Sequence, residues 1–276
     1  MKNLRKVNVI FRQSMRTLFT KPQYWCAILL EVVIFSLNGK RFYEYAGYLG
    51  ERMSIYDIFL YTLSDVHMMI LLVIGCILLF SDIPFKDEMS KYVLLRSGKR
   101  EYYFAKCLHL LFGSFLYYIQ GFIVCVILTG SSIVTVNAWS IPMYELAKNF
   151  KLGNTYFQLQ GFPYQVLQVM NPLEAFKITF LLVWLYSVLL LIMFYGCSLI
   201  MKRRVAFTVI IMFHLSGLLF LMRGNFYFLL SQVLLEYHSF GIHRNGPSIR
   251  YTIVTDIIII ILLFKIVEGK YLTYDE

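Results

Sequence analysis

Residues 175–200 read AFKITFLLVWLYSVLLLIMFYGCSLI and decide the fold class of this chain. Lys177 is the stretch's one charged residue, and its length is that of a helix crossing about 30 Å of hydrocarbon. Because lipid offers no hydrogen-bond partners, the backbone polar groups of such a span must bond within their own segment. A span without strand alternation achieves this only as a helix, so the sequence predicts an all-α membrane protein.

Five further apolar stretches accompany this one, so that the six predicted spans lie near residues 23–38, 64–81, 107–130, 175–200, 205–222 and 251–267. Of the 276 residues, 59% are apolar and 15% are charged, and the mean hydropathy is +0.64. A soluble domain has roughly 45–50% apolar and about 25% charged residues. We therefore predict a polytopic membrane protein with six transmembrane helices in a single transmembrane domain, residues 1–276.

The distribution of charge predicts the orientation. The chain has 26 Lys and Arg against 16 Asp and Glu, a net charge of +10. Seventeen of the 26 lie in the N-terminal segment, the 82–106 loop, residues 202–204 and the C-terminal tail. Because cytoplasmic loops carry the excess of Lys and Arg, we predict a multi-pass protein of the cell membrane with both termini cytoplasmic. Attraction to anionic lipid explains the basic balance, so membrane lipid is a predicted partner and nucleic acid is not.

The N-terminal forty residues also have the outline of a cleaved signal peptide, a basic segment before an apolar one. The basic segment occupies residues 1–22 and no small-x-small cleavage site precedes a mature domain, so we expect it to be retained. The five cysteines lie inside or at the edge of apolar spans without a CxxC pair; they are Cys26, Cys76, Cys107, Cys125 and Cys197. We expect buried hydrophobic side chains, and neither disulfides nor a metal site.

Residues 1–22 predict an amphipathic helix on the cytoplasmic membrane surface. Apolar residues recur at intervals of three and four, with basic side chains between them; the apolar residues are Leu4, Val7, Phe11, Met15 and Leu18. Pro22 marks the bend into the first span, where its fixed φ is tolerated. A flexible basic tail is the alternative.

Residues 82–106 form the most informative loop. Two apolar patches, residues 92–95 and 102–104, flank the polar turn of residues 96–101. Exposed aromatic groups beside charges suit a short helix that docks into a groove of a soluble partner, with apolar anchors and a charged rim. The alternative is a helix that rests on the bilayer surface.

This loop reads LLRSGKREYYFAK from Leu94 to Lys106. Together with the amphipathic N-terminal helix and six spans with both ends inside, it resembles the permease subunits of ABC-2 type exporters, many of which have Pro where Gly98 stands. The resemblance implies that the segment is a coupling helix. The residues thereby assigned to coupling with an ATPase are Tyr92, Leu94, Leu95, Arg96, Ser97, Gly98, Lys99, Arg100, Tyr103 and Lys106.

The same resemblance implies a bacterial ATP-driven exporter in which two permease chains, identical or different, stand on two cytoplasmic ABC ATPase subunits. The sequence supports this division of labour, because no G-x-x-x-x-G-K-[ST] phosphate loop occurs in it. We therefore expect no catalytic residue and no cofactor in this chain, with ATP and Mg²⁺ bound by the partner ATPase.

By resemblance, the second and fifth spans line the transport pathway. The candidate pathway residues are adaptable or aromatic: Met68, Met69, Phe207, Met212 and Phe213. They favour a hydrophobic or amphipathic substrate, such as a membrane-active peptide, a drug or a lipid. Ordinary helix packing is the alternative for all five.

Four ionisable residues are predicted within spans, where each is costly and is therefore a candidate functional group: Glu31, His109, His214 and Asp256. Structural pairing is the alternative for each. We expect Glu31 to be protonated and to donate a hydrogen bond across a helix interface. Its expected partners are His109, His214 or Gln120.

Two large loops are predicted on the outer side. Residues 131–174 are too apolar for a free linker and should fold onto the outer surface with a short helix around residues 143–150. Residues 223–250 include an apolar run too short to span the membrane, and we expect short outer helices there.

Other classes of function remain beside the exporter. An intramembrane metalloprotease needs HExxH, and the five histidines include no such pair. An ion-coupled secondary transporter is the main alternative, although the two halves show no inverted repeat. A role in sensing, or in immunity to, a membrane-active peptide also stays open.

Overall fold

The computed structural model describes residues 2–83, 88–130, 133–239 and 246–273, and within them the regular secondary structure is helical except for two short strands. The all-α prediction is therefore confirmed. The strands β1 (Met53–Ser54) and β2 (Ile133–Val134) pair in parallel, Met53 opposite Ile133. The helices are α1 (Lys2–Leu18), α2 (Pro22–Leu49), α3 (Asp57–Ser64), α4 (Val66–Leu79), α5 (Glu88–Ser97), α6 (Lys99–Thr129), α7 (Ile141–Lys148), α8 (Phe150–Phe157), α9 (Tyr164–Val169), α10 (Pro172–Ile200), α11 (Arg203–Met222) and α12 (Ile249–Thr273).

Among the described residues, three helices are long and apolar enough to cross a membrane: α6, α10 and α11. The number rises to five if each of two bent pairs forms one span, α1 with α2 at 62° and α3 with α4 at 95°. The last helix, α12, is long enough but carries Arg250, Asp256 and Lys265 along its length. These apolar helices are those of a membrane protein, and the count of six spans stays a prediction.

The predicted second span contains a sharp break. Residues 64–81 begin in α3, and the chain turns at Asp65 before α4. The Asp65 carboxylate accepts a hydrogen bond from the backbone N–H of His67 at 2.9 Å and thus caps α4. An aspartate in this position satisfies a free N–H of a new helix, which is why one apolar stretch forms two helices.

The central helix is α10, which packs against α6, α11 and α12. Its start is fixed by a capping box, in which the Asn171 side chain accepts from the Glu174 backbone N–H at 2.9 Å and Pro172 occupies the first turn. Residues around the whole circumference of α10 are buried. A helix that is apolar on all sides is expected at such a position.

One end of the bundle, here termed the basic end, collects α1, α5, the α10–α11 connection and the C-terminal part of α12 around the start of α6. On α1 the buried stripe is Val7, Ile10, Ser14 and Leu18, whereas Leu4 is exposed. The rings of Phe11 and Phe112 lie 5.3 Å apart, and Lys106 Nζ donates to Ser14 Oγ at 2.9 Å. A helix therefore occupies the N-terminal segment and packs on α6, and its position on the membrane surface stays a prediction.

The other end, here termed the opposite cap, consists of α7, α8, α9 and residues 225–239. The Trp139 indole donates to the Met170 carbonyl at 2.7 Å, and the ring of Phe157 lies 5.5 Å from that of Tyr45 on α2. The predicted short helix is α7, and the predicted short outer helices include the 3-10 turns Ser231–Val233 and Leu235–Tyr237. Residues 84–87 of the predicted coupling loop, and Arg244, lie outside the described residues.

Candidate functional site

The predicted coupling segment forms α5, a ten-residue helix held between α1 and α6. Its C-terminal turn is closed locally, because the Ser97 hydroxyl donates to the Val93 carbonyl at 2.7 Å. Lys6 of α1 donates from Nζ to the Ser97 carbonyl at 3.3 Å, so a cation satisfies one of the free carbonyls at the helix end. Helix α5 is thus hydrogen-bonded to α1, a helix that is distant from it in the sequence.

Two apolar side chains of α5 project away from the protein. Tyr92 is 68% exposed and Leu95 is 83% exposed, and Arg96 beside them is exposed as well. Val93 and the predicted anchor Leu94 instead pack against a small cluster of Val7, Ile10, Tyr102 and Ala105. The structure therefore divides the predicted anchors into Leu94, which holds α5 to its own chain, and Leu95, which is free to contact a partner. Tyr92, Leu95 and Arg96 are here termed the coupling surface.

The turn from α5 to α6 depends on Gly98, whose φ of 102° lies in a region that L side chains rarely adopt. A Cβ at this position would also lie 2.6 Å from a carboxylate oxygen of Glu101. Proline, common here in the exporter family, has φ fixed near −65° and does not fit this turn. Gly98 therefore acts through backbone shape, and Lys99 begins α6 directly after it.

The remaining predicted coupling residues contact their own chain. Tyr103 is 1% exposed, its ring lies 5.7 Å from that of Tyr195, and its hydroxyl donates to the Phe264 carbonyl at 2.8 Å. Arg100 Nε donates to Glu268 at 3.1 Å and so ties α6 to α12. Lys106, already bonded to Ser14, lies 5.2 Å from the centre of the Tyr102 ring. Tyr103 is thus buried away from any soluble partner, because it fills the core of the basic end.

Glu31 is fully buried between α2 and α6. Its carboxyl group and the ring of Phe35 occupy the space in which a Cβ on Gly121 would stand, so the missing side chain of Gly121 makes room for them. Neither carboxyl oxygen forms a hydrogen bond with a described side chain. An unpartnered buried carboxyl is uncommon and is therefore a candidate functional group.

The partners expected for Glu31 bond to other groups. Gln120 donates to the Tyr24 hydroxyl. His109 contacts the Met15 sulfur at 3.2 Å, and its ring packs edge-on against that of Phe80. The expected hydrogen bonds from Glu31 to these two side chains are therefore not formed, because each is turned toward α1 or the start of α2.

His214 links three helices. Its Nδ1 lies 2.8 Å from the Tyr186 hydroxyl on α10, and its Nε2 lies 3.2 Å from the Ile70 carbonyl on α4. The carbonyl requires a donor, so Nε2 carries the proton and Nδ1 accepts from Tyr186. Asp256 is also buried, on α12. His214 thus has a satisfied structural pairing, the alternative weighed for each intramembrane residue.

The predicted pathway residues do not form one surface. Met69 is buried, Phe207 packs 5.9 Å from Phe194, and Phe213 packs 5.8 Å from Phe228. Met68 is half-buried, whereas Met212 is 62% exposed on the outside of α11. Helices α4 and α11 do contact each other, but these five side chains point to different neighbours.

The structure adds an apolar groove, about 540 Å³ in volume, between α6 and α10. Its walls are mostly aromatic: Phe115, Phe122, Phe176, Phe180 and Trp184, with the exposed Lys177 at one end. The rings are in mutual contact, with Phe122 and Phe176 4.5 Å apart. The sequence signal for this groove was the aromatic spacing Phe176, Phe180, Trp184 on one helical face, which the pathway prediction did not use.

Comparison with known proteins adds no family to this description. No family model matches the chain, and no curated protein and no solved structure is significantly similar to it. The class that the fold itself defines is an all-α protein with several apolar helices of membrane-spanning length.

Proposed function

We propose that this chain is the membrane-spanning permease subunit of an ATP-driven exporter, with ATP hydrolysed by a separate cytoplasmic ABC ATPase subunit. A second permease chain completes the transporter. In this proposal the basic end faces the cytoplasm of a bacterial cell, α5 is the coupling helix, and both chain termini lie inside.

The observation that carries the proposal is the position of α5. A short helix, tied to α1 by Lys6 and to α6 by Leu94, presents Tyr92 and Leu95 to water at the basic end. Exposed large apolar side chains cost free energy unless a partner covers them. Anchoring on two membrane-associated helices would let a force applied to α5 reach both, which is the requirement for coupling.

The substrate class rests on the groove between α6 and α10. A groove lined by five aromatic side chains suits a hydrophobic chain or ring and offers a sugar few hydrogen-bond partners. We propose a hydrophobic or amphipathic substrate, such as a peptide, a drug or a lipid.

The proposal is tested by replacing the two apolar side chains of the coupling surface. We expect Tyr92→Ala with Leu95→Ala to abolish ATP-dependent uptake of a hydrophobic peptide into inside-out vesicles, because the ATPase loses its apolar anchors. The matched control is Tyr156→Ala with Ile141→Ala, which removes an exposed aromatic and an exposed aliphatic side chain from the opposite cap. The control should transport as the wild type does.

Three results would contradict the proposal. The first is ATP-dependent uptake that is equal in the α5 variant and the control. The second is uptake by the purified chain driven by an ion gradient alone, which identifies a secondary transporter. The third is robust export of a hydrophilic sugar without peptide export, which would exclude a hydrophobic or amphipathic substrate.

A further inference from the structure

The groove between α1 and α5 is a second candidate binding site, which shares Arg96 and Ser97 with the predicted coupling residues and no residue with the predicted pathway. It has a volume of about 440 Å³. Its walls include Arg5, Lys6, Val9 and Ile10 of α1, and Val93 and Arg96 of α5.

Helical spacing explains why these residues face one another. Arg5 and Val9 are four residues apart on α1, and Val93 and Arg96 are three apart on α5, so each pair lies on one face of its helix. The hydrogen bond from Lys6 to the Ser97 carbonyl holds the two faces together. The groove is therefore a fixed feature of the contact between α1 and α5.

Two guanidinium groups of this groove lack a counter-charge. Arg5 and Arg96 are exposed, and neither forms a hydrogen bond or an ion pair with another described residue. Elsewhere at the basic end Arg100 is paired with Glu268. Two free cations on facing walls are suited to a phosphate group, to which guanidinium donates in a planar fork.

The rest of the lining is aliphatic. Ile10 is buried at the base of the groove, Val93 is half-buried and Val9 is exposed. A cationic rim over an aliphatic floor is complementary to a molecule that has a phosphate at one end and a hydrocarbon chain next to it. We propose that this groove binds one anionic phospholipid, with the phosphate between Arg5 and Arg96 and the start of an acyl chain along Val9 and Val93.

The position and lining of the groove favour a lipid ligand over an acidic segment of a soluble protein. At about 100° per residue, Leu95 lies roughly 200° around α5 from Val93, so Leu95 points away from the groove, whereas Arg96 borders both the groove and the coupling surface. Most of the residues that line the groove belong to α1, the amphipathic helix. An acidic peptide would meet the arginines but leave the two valines exposed. This inference needs only a membrane beside α1, so it stands apart from the proposed ATPase.

The test uses the full chain in phosphatidylcholine nanodiscs, titrated with fluorescent phosphatidylglycerol. We expect phosphatidylglycerol to bind more tightly than a phosphatidylcholine probe with the same chains. Arg5→Gln with Arg96→Gln should weaken phosphatidylglycerol binding by roughly 25-fold, because each well-placed cation contributes about fivefold to the affinity for anionic lipid. The matched control is Lys148→Gln with Lys151→Gln, which removes the same charge from exposed sites of the opposite cap and should leave the affinity unchanged.

A second variant tests the aliphatic floor. Val9→Asn keeps every charge, so we expect it to weaken binding of the long-chain lipid while the variant elutes as the wild type does. The inference is overturned if the double arginine variant binds as the control does, or if both lipid probes bind equally. It is also overturned if inorganic phosphate or polyglutamate displaces the lipid at equal concentration, since the site would then recognise a free anion or an acidic peptide.

Discussion

At the scale of single residues, Glu31 is the side chain whose position has no local structural explanation. Its carboxyl fills the space left by Gly121, yet no side chain of the described residues bonds to it. A methionine of similar length would fill the same space without a polar group, and the fold would be more stable for it. The unpaired carboxyl is thus a cost to the fold, which makes Glu31 a candidate functional group.

Two substitutions separate the roles of Glu31. We expect Glu31→Gln to preserve transport, because the amide keeps the shape of the neutral carboxyl. We expect Glu31→Met to raise the stability of the purified protein by roughly 1–3 kcal/mol, because the unpaired polar group is removed. Melting in detergent and peptide uptake into vesicles measure the two effects. If Glu31→Gln assembles and supports ATP hydrolysis but does not transport, then Glu31 acts as a charge in the transport cycle.

For single residues, the sequence predicted which side chains matter better than it predicted the residues that they contact. The predicted polar turn of residues 96–101 is reduced to Gly98, since α5 ends at Ser97 and α6 begins at Lys99, whereas the polar residues assigned to spans are buried. The sequence could not tell Leu94 from Leu95, since only the packing of α5 on α1 decides which of two adjacent leucines faces inward. Tyr103 was assigned to a partner because an aromatic beside charges looks exposed until α12 covers it.

At the scale of elements, the segment that follows α11 depends on a buried histidine. His238 is buried, and its Nδ1 donates to the Leu234 carbonyl at 3.1 Å, which holds the 3-10 turn Leu235–Tyr237 in place. Burial lowers the pKa of His238 from its ordinary value of 6.5. Below pH 6.5 the unfolded segment therefore binds a proton that the folded one does not, so stability falls as the pH falls.

We expect hydrogen-exchange protection of residues 226–239 to decrease as the pH is lowered from about 7 to about 5, by at most roughly 1.4 kcal/mol per pH unit. Burial raises the pKa of the neighbouring Glu236, and this group acts in the opposite direction, since its folded form takes up the proton first. The informative quantity is thus the difference between the wild type and His238→Gln. A matched control is His67→Gln, an exposed histidine. If wild type and His238→Gln lose protection in parallel, His238 does not control this segment.

The elements that the sequence did not predict are those that form because of tertiary contacts. The apolar stretches predicted a helical membrane protein, because hydropathy is a property of each stretch alone, and three to five of the described helices are long and apolar enough to span a membrane. The break at Asp65 falls within an apolar stretch, so hydropathy alone does not show it. The pairing of β1 with β2 joins residues that are far apart in the chain, Met53 opposite Ile133. A two-residue strand has no sequence signature, so such contacts emerge only from the packing of α7 and α8 on α2.

At the scale of the whole molecule, the fold separates charge along the bundle axis. The N-terminal segment, α5, the residues between α10 and α11, and the end of α12 come together at the basic end, although they are distant in the chain. These are the four segments whose Lys and Arg content predicted a cytoplasmic location. The assignment of this end to the cytoplasmic side of a membrane stays a prediction.

This arrangement predicts which positions are accessible from outside an intact cell. Single cysteines introduced at Lys148 and Lys151, exposed in the opposite cap, should react with a membrane-impermeant maleimide without permeabilisation. Cysteines introduced at Arg12 and Lys202, exposed at the basic end, should react only after permeabilisation. The background is a variant in which the five native cysteines are replaced by alanine, because Cys26 is free and exposed. The opposite pattern would place α5 outside the cell, where no ATPase reaches it, and would remove the exporter proposal together with the orientation.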